Sequence, residues 1–250
     1  MKTALSALVV LALTMVSPLL ADTVLISEDF EAGAGYDLYA PIAGTNGWTG
    51  DSSGAGYLCY YPSVPSASGA VDSGYSAGPT GETGNSWASL QKGFTAPAGV
   101  KSYTLTATLY APSTSADPRE SYAQIDLISP NGRTYIANGF GNLLMGRDGG
   151  GEATDVQIAE PVDVKIVADN NGTTFYQRVH GTTDWTMETQ QAWGAGELAN
   201  FNAVGIDSYN HYYGNIDSLV LTATIPEPSV ITLLLSGVVG LLAYAWRKQK

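Results

Sequence analysis

The sequence predicts an all-β fold, an antiparallel jelly roll or β-sandwich, flanked by an N-terminal signal peptide and a C-terminal transmembrane helix. Three observations predict it. Apolar and polar residues alternate with period two, most clearly where Tyr103, Leu105, Ala107 and Leu109 oppose Ser102, Thr104, Thr106 and Thr108, as a half-buried antiparallel strand requires. Turn signals punctuate short segments of this kind: Pro130-Asn131-Gly132, Asp148-Gly149-Gly150-Gly151 and Asp169-Asn170-Asn171-Gly172. Between residues 22 and 225 no helical period runs for a useful length, and no repeat of fixed period argues for a propeller or solenoid.

Taken from the N-terminus, Lys2 precedes an apolar stretch over residues 4–16 and then Pro18-Leu19-Leu20-Ala21. This reads as a secretory signal, residues 1–21, cut after Ala21, although Leu19 departs from the small residue favoured three positions before a cut. Residues 22–225 form the exported domain, a length suited to one large β-domain. Within it, residues 32–84 are rich in Gly, Ser, Ala, Pro and Tyr, which predicts long loops with short strands packed over the sandwich. Beyond the strand at 102–109, the alternation predicts strands over 122–129, 133–140, 162–169, 173–180, 201–208 and 216–224.

The last 25 residues, 226–250, have their own grammar. Pro226-Glu227-Pro228-Ser229 leads into an uncharged run over 230–246, which closes on the basic end 247–250 with Arg247, Lys248 and Lys250. As a helix that run reaches roughly 26 Å, enough for a thin hydrocarbon core, and the basic end stays cytoplasmic while the preceding chain lies outside. An ordinary membrane anchor shares the helix and the basic end. The full order of motif, helix and basic terminus resembles the PEP-CTERM sorting signal. That resemblance implies an inner-membrane precursor, an exosortase-type processing enzyme as partner, a cut near the Pro-Glu-Pro, and delivery to the cell surface or an extracellular matrix.

Charge and cysteine usage narrow the function classes. Of the 11 Lys and Arg, four lie in the terminal segments, leaving seven against 22 of the 23 acids, a formal −15 for residues 22–225. A domain this acidic does not hold nucleic acid by its phosphates. Cys59 is the single cysteine, so no disulfide closes within the chain, and Tyr57-Leu58-Cys59-Tyr60-Tyr61 reads as a small buried thiol.

Ser27-Glu28-Asp29-Phe30-Glu31, Asn46-Gly47-Trp48 and Gly214-Asn215-Ile216-Asp217-Ser218-Leu219-Val220-Leu221 resemble the bracketing strands of concanavalin A-like and laminin-G-like jelly rolls and of carbohydrate-binding modules of similar shape. The hairpin around Asp169-Asn170-Asn171-Gly172 resembles a central hairpin of the same group. First and last strands of such folds lie side by side. The resemblance therefore implies a structural calcium near Glu31 and Asp217, with solvent-facing acids as the alternative. No other cofactor is expected.

Catalytic patterns are weak. The Glu-x-Asp-x-x-Glu strand of laminarinase-type enzymes is absent, no Gly-x-Ser-x-Gly elbow occurs, and His180 and His211 are the only histidines. The Asp169 turn lacks the closing glutamate of an EF-hand, because His180 occupies the twelfth position. Aromatic residues in Gly- and Asn-rich segments are more suggestive, since flat rings offer platforms for the apolar faces of sugars. Trp48, Trp87, Trp185, Tyr209, Tyr212 and Tyr213 are the glycan-binding candidates, and closing the edges of the core is the competing use of each ring. The expectation is a non-enzymatic envelope or extracellular protein that binds glycans or a polysaccharide matrix. The alternatives are a carbohydrate-active hydrolase or lyase of the same fold, and an inert structural matrix protein.

Overall fold

A computed structural model describes residues 20–30, 36, 42–52, 56–60, 64–65, 71–72, 75–79, 87–110, 122–139, 142–148, 152–153, 161–193, 196–209, 215–226 and 247–248. In chain order the strands are β1 (Leu20–Glu28), β2 (Trp48–Ser52), β3 (Gly56–Tyr60), β4 (Val64–Pro65), β5 (Val71–Asp72), β6 (Tyr75–Pro79), β7 (Trp87–Gly93), β8 (Ser102–Tyr110) and β9 (Tyr122–Ser129). They continue as β10 (Gly132–Gly139), β11 (Asn142–Arg147), β12 (Glu152–Ala153), β13 (Val162–Asp169), β14 (Gly172–Val179), β15 (Thr186–Ala192), β16 (Ala203–Tyr209) and β17 (Asn215–Pro226).

Two antiparallel sheets face each other. The first runs β15-β14-β13-β8-β17-β6-β3, with β1 also on β17; the second runs β12-β11-β10-β9-β16-β7-β2. Period-two alternation sorts the side chains. Tyr103, Leu105, Ala107 and Leu109 of β8 and Val162, Val164, Ile166 and Ala168 of β13 enter the core, where they meet Ile125, Leu127, Val204 and Ile206 of the second sheet. Burying such side chains contributes about 1.5–3 kcal/mol each before the entropy of ordering is charged.

The strands expected from alternation all form, within two residues at either end. β7, β11, β12 and β15 escaped the sequence reading. In β15, Thr186 and Met187 are exposed and no residue is buried, so an edge strand of this kind carries no apolar alternation to detect. Residues 32–84 contain the short strands β2 to β6, as their composition suggests.

The first and last strands do pair. Leu20 to Glu28 runs antiparallel to Pro226 to Leu219, so the pairing takes in Leu20, Ala21 and Pro226, which lie just outside the expected domain limits. Among the described residues no helix is long and apolar enough to cross a membrane. The span 230–246, residues 1–19 of the signal, and Glu227, Pro228, Ser229 and Lys250 lie outside the described residues, whereas Pro226 ends β17 and Arg247 and Lys248 form a short helical fragment.

The turn from Asp169 is a tight hairpin. Asp169 Oδ1 accepts hydrogen bonds from the backbone N–H of Asn171 at 2.7 Å and of Gly172 at 3.2 Å, an Asx turn that pins the register of β13 against β14. Gly172 has φ +152°, and a Cβ there would lie 2.2 Å from the carbonyl oxygen of Gln191, so only glycine closes this turn.

Candidate functional site

Hairpin register builds a groove on the outer face of the first sheet. One row across the strands is Arg178 of β14, Asp163 of β13, Thr108 of β8 and Asp217 of β17; the next is Tyr176, Lys165, Thr106 and Val220. Paired positions share a face, and the neighbours of Asp163 and Lys165 along β13, Val164 and Ile166, are in the core. These polar residues therefore face outward. The segment after β14 returns over this face, with His180 N–H donating to the Pro161 carbonyl at 3.1 Å and Thr182 N–H to the Val179 carbonyl at 3.1 Å. The groove encloses about 340 Å³ and is lined by Thr106, Ala107, Thr108, Asp163, Arg178, His180, Trp185 and Ser218.

Asp163 is the hub. Its Oδ1 accepts from Thr108 Oγ1 at 2.8 Å and pairs with His180 Nδ1 at 2.7 Å, while its Oδ2 accepts from Arg178 Nε at 2.8 Å. This fixes a proton on His180 Nδ1 and leaves Nε2 as the ring's remaining polar atom. Above the same rows sits Trp185, half-buried, with Lys165 Nζ 4.2 Å and Arg178 Cζ 4.3 Å from its ring centroid. Lys165 Nζ also lies 4.3 Å from the Tyr176 ring. Burial, and then the Arg178 charge, lower the Lys165 pKa from its ordinary value. Ser218 has φ +50° at the irregularity in β17 opposite β8, held by its N–H donating to Asp217 Oδ1 at 2.6 Å.

The glycan candidates fall in different places. Trp185 lines the groove. Trp48 does not serve a surface: its ring is fully buried in the core, 6.2 Å from Phe30, and its Nε1–H donates to Tyr36 Oη at 3.1 Å. The glycan reading of Trp48 is corrected accordingly, because a ring without an exposed face cannot stack on a sugar. Trp87 and Tyr209 are register partners across β7 and β16, and Tyr209 is also opposite Tyr122 of β9. The side chains of Trp87 and Tyr209, and all of Tyr212 and Tyr213, lie outside the described residues, as does the side chain of Cys59.

The expected calcium corner is described only in part. Glu31 lies outside the described residues, and Asp217 holds the Ser218 N–H. Glu28 is buried, accepts from Tyr36 Oη at 2.6 Å and is ion-paired with Lys92 of β7, so an ammonium already neutralises it. Among the described residues no group of three or more His, Cys, Asp or Glu side chains is placed to hold a metal ion.

Sequence reasoning missed the Asp163, Arg178, His180 and Lys165 group and a second acidic pair. On the outer face of the other sheet, Gln124 Nε2 donates to Asp126 Oδ1 at 2.6 Å and to Asp207 Oδ2 at 3.1 Å. Arg133 NH1 lies 2.6 Å from Asp207 Oδ2 and 3.7 Å from Asp126 Oδ2. Desolvation, reinforced by the Asp207 charge, raises the Asp126 pKa well above the ordinary carboxylate range. The pair comes from strands eighty residues apart, so no local spacing announces it. Asp126 is fully buried, and with Arg133 and Gln124 it forms a charge network within the sheet face.

No family model matches the chain, and no curated protein matches it. Solved structures of similar outline exist. Arcelin-5, a lectin-like defense protein from Phaseolus vulgaris, aligns over 82% of this chain and 98% of its own at 8% identity and TM-score 0.48. Lectin II from Ulex europaeus aligns over 84% of this chain and 100% of its own at 10% identity and TM-score 0.47. A protein of unknown function from Shewanella oneidensis aligns over 88% of this chain and 94% of its own at 14% identity and TM-score 0.44. The class defined by the strands themselves is a two-sheet antiparallel β-sandwich, and the chemistry of the groove stands apart from those likenesses.

Proposed function

We propose that this is an exported, non-enzymatic protein that binds a glycan in the Trp185 groove and is delivered by a sorting tail. The groove carries the reading: a half-buried indole stands over a strand-built row of hydrogen-bonding side chains, Thr108, Asp163 and Arg178, joined by His180 from the turn after β14 and held by their mutual contacts. Strands place Thr108, Asp163 and Arg178 more firmly than loops would, so little ordering entropy is spent on them in binding. Trp185→Ala is expected to weaken retention in polysaccharide-containing gels at least tenfold, a loss of about 1.4 kcal/mol, while the melting midpoint stays within a few degrees. Retention equal to the parent's in that variant would remove the groove from the reading.

For the tail, Pro226-Glu227-Pro228-Ser229 with residues 230–246 and the basic end supports an inner-membrane precursor cut by an exosortase-type enzyme, followed by transfer toward the surface or a polysaccharide matrix. Pro226 ends β17 opposite Leu20, so a cut within the motif would leave the ladder from Asp22 opposite Thr224 inward intact. The double variant Pro226→Ala, Pro228→Ala is expected to accumulate as a folded, uncut precursor by mass spectrometry. A normal mature C-terminus in that variant would refute the sorting reading.

A further inference from the structure

The glycan-binding reading leaves open what kind of saccharide the groove takes, and the charge distribution answers it. Residues 22–225 carry a formal −15, with only seven Lys and Arg. Two of those seven, Lys165 and Arg178, each stand against one indole, 4.2 Å and 4.3 Å from its centroid; Arg178 lines the groove with His180, and Lys165 adjoins it through the Trp185 ring. Three other described cations of the domain are matched to acids, Lys92 to Glu28, Arg133 to Asp207 and Arg147 to Glu197, while Lys101 is exposed to solvent. Here one carboxylate, Asp163, answers Arg178 and His180 together, and among the described residues no carboxylate pairs with Lys165. Asp217 lies two strands from Lys165 and in the neighbouring row, about 12 Å away by strand spacing and rise, beyond a Debye length at physiological salt. The cationic end is therefore held together by ring contacts and is short of negative charge. A negative side chain from the protein would have satisfied it at less cost than two like charges held against one ring.

We propose that this end of the groove is a subsite for the carboxylate of an acidic saccharide, a uronic acid unit within a polysaccharide. The proposal rests on the glycan reading of the groove. The uronate carboxylate bridges Lys165 and Arg178, replaces the missing negative charge, and sets its pyranose beside Trp185, where the hydroxyls of Thr106, Thr108 and Ser218 are within the same cleft. Those neutral hydroxyls can bond the ring hydroxyls of a sugar while the indole meets its apolar face, a combination that an acidic peptide side chain lacks.

The test is affinity electrophoresis of the purified protein in gels containing polygalacturonate, alginate or hyaluronan, the same polymers after reduction of their carboxyl groups to alcohols, neutral polysaccharides, or polyglutamate. Retardation by at least one of the polyuronates is expected, reduced at least tenfold by carboxyl reduction, weakened by salt, and absent with polyglutamate. Lys165→Gln is expected to reproduce the effect of carboxyl reduction, and Lys165→Arg to restore retention, with unchanged melting midpoints in both. Equal retardation by the native and reduced polymers, or by neutral polysaccharides alone, overturns the acidic subsite and leaves the glycan reading standing. Equal retardation by polyglutamate overturns it in favour of an unspecific anion surface. Uniform mobility across every polymer overturns both the subsite and the glycan reading.

Discussion

Trp48→Ala is expected to lower the unfolding free energy by about 3–5 kcal/mol, the usual cost of truncating a fully buried aromatic side chain. In urea that displaces the midpoint by at least about 1 M, with glycan retention per folded molecule unchanged. The size of the effect follows from what the ring does. Trp48 opens β2 and packs on Phe30, itself fully buried at φ +53°, and Phe30 in turn meets Tyr36 at 5.7 Å. The indole N–H donates to Tyr36 Oη, whose hydroxyl donates to the buried Glu28 carboxylate, which is ion-paired with Lys92. Removing the ring opens a cavity and unhooks the donor end of that chain, which ties β1 and β7 of opposite sheets together. Trp48→Phe separates the two contributions: it retains most of the packing, leaves Tyr36 one partner short, and is expected to cost less, about 1–2 kcal/mol. A Trp48→Ala protein with an unshifted urea midpoint and lost glycan retention would return the residue to the surface.

The misreading of Trp48 shows where sequence stops being informative. Its neighbours Asn46 and Gly47 form a turn, with φ +49° and +81°, and a tryptophan next to such a turn looks like a loop platform. Whether its ring turns out to solvent or into the sandwich depends on the partner sheet, and nothing within ten residues reports that. Strands β8, β9 and β13 were legible because both of their faces are chemically distinct, threonine or acid on one and aliphatic on the other. Edge strand β15 was not, because neither of its faces enters the core.

Part of the groove was legible too. A two-residue turn at Asn170-Asn171 dictates that positions equally far from it pair, which sets Asp163 opposite Arg178 and Lys165 opposite Tyr176. That charge pair and its aromatic neighbour could have been read from the hairpin alone. The arrival of Thr108 from β8 and the return of Trp185 over the sheet depend on long-range order, and so does the pairing of Asp126 with Asp207, which needs β9 beside β16. Residues of one hairpin are written near one another, whereas a sheet face assembled from distant strands is not.

Asp126→Asn is expected to stabilise the protein at neutral and alkaline pH by about 1–3 kcal/mol, the order of cost for a buried charged group with incomplete pairing. Asp126 is wholly buried, its Oδ2 lacks a hydrogen-bond partner, and Asp207 stands beside it as a second acid. Arg133 offsets these effects only in part, at 3.7 Å from Oδ2. The sign follows from linkage. A carboxyl whose folded pKa lies above its unfolded value of 3.8 binds its proton more tightly in the native state, so its contribution to stability is fully present below that unfolded value and is lost as pH rises through the folded pKa. The asparagine amide keeps an oxygen to accept from Gln124 and has no proton to lose. Parent and variant should therefore have nearly equal unfolding free energies near pH 4 and diverge as pH rises, the parent becoming the weaker. Asp126→Ala lacks the acceptor for Gln124 and is expected to be destabilised at every pH. Urea unfolding of the three proteins from pH 4 to 9 measures the divergence directly. Parallel pH profiles for parent and Asp126→Asn would mean that Asp126 keeps an ordinary affinity for its proton in the fold, and that Arg133 compensates its charge in full.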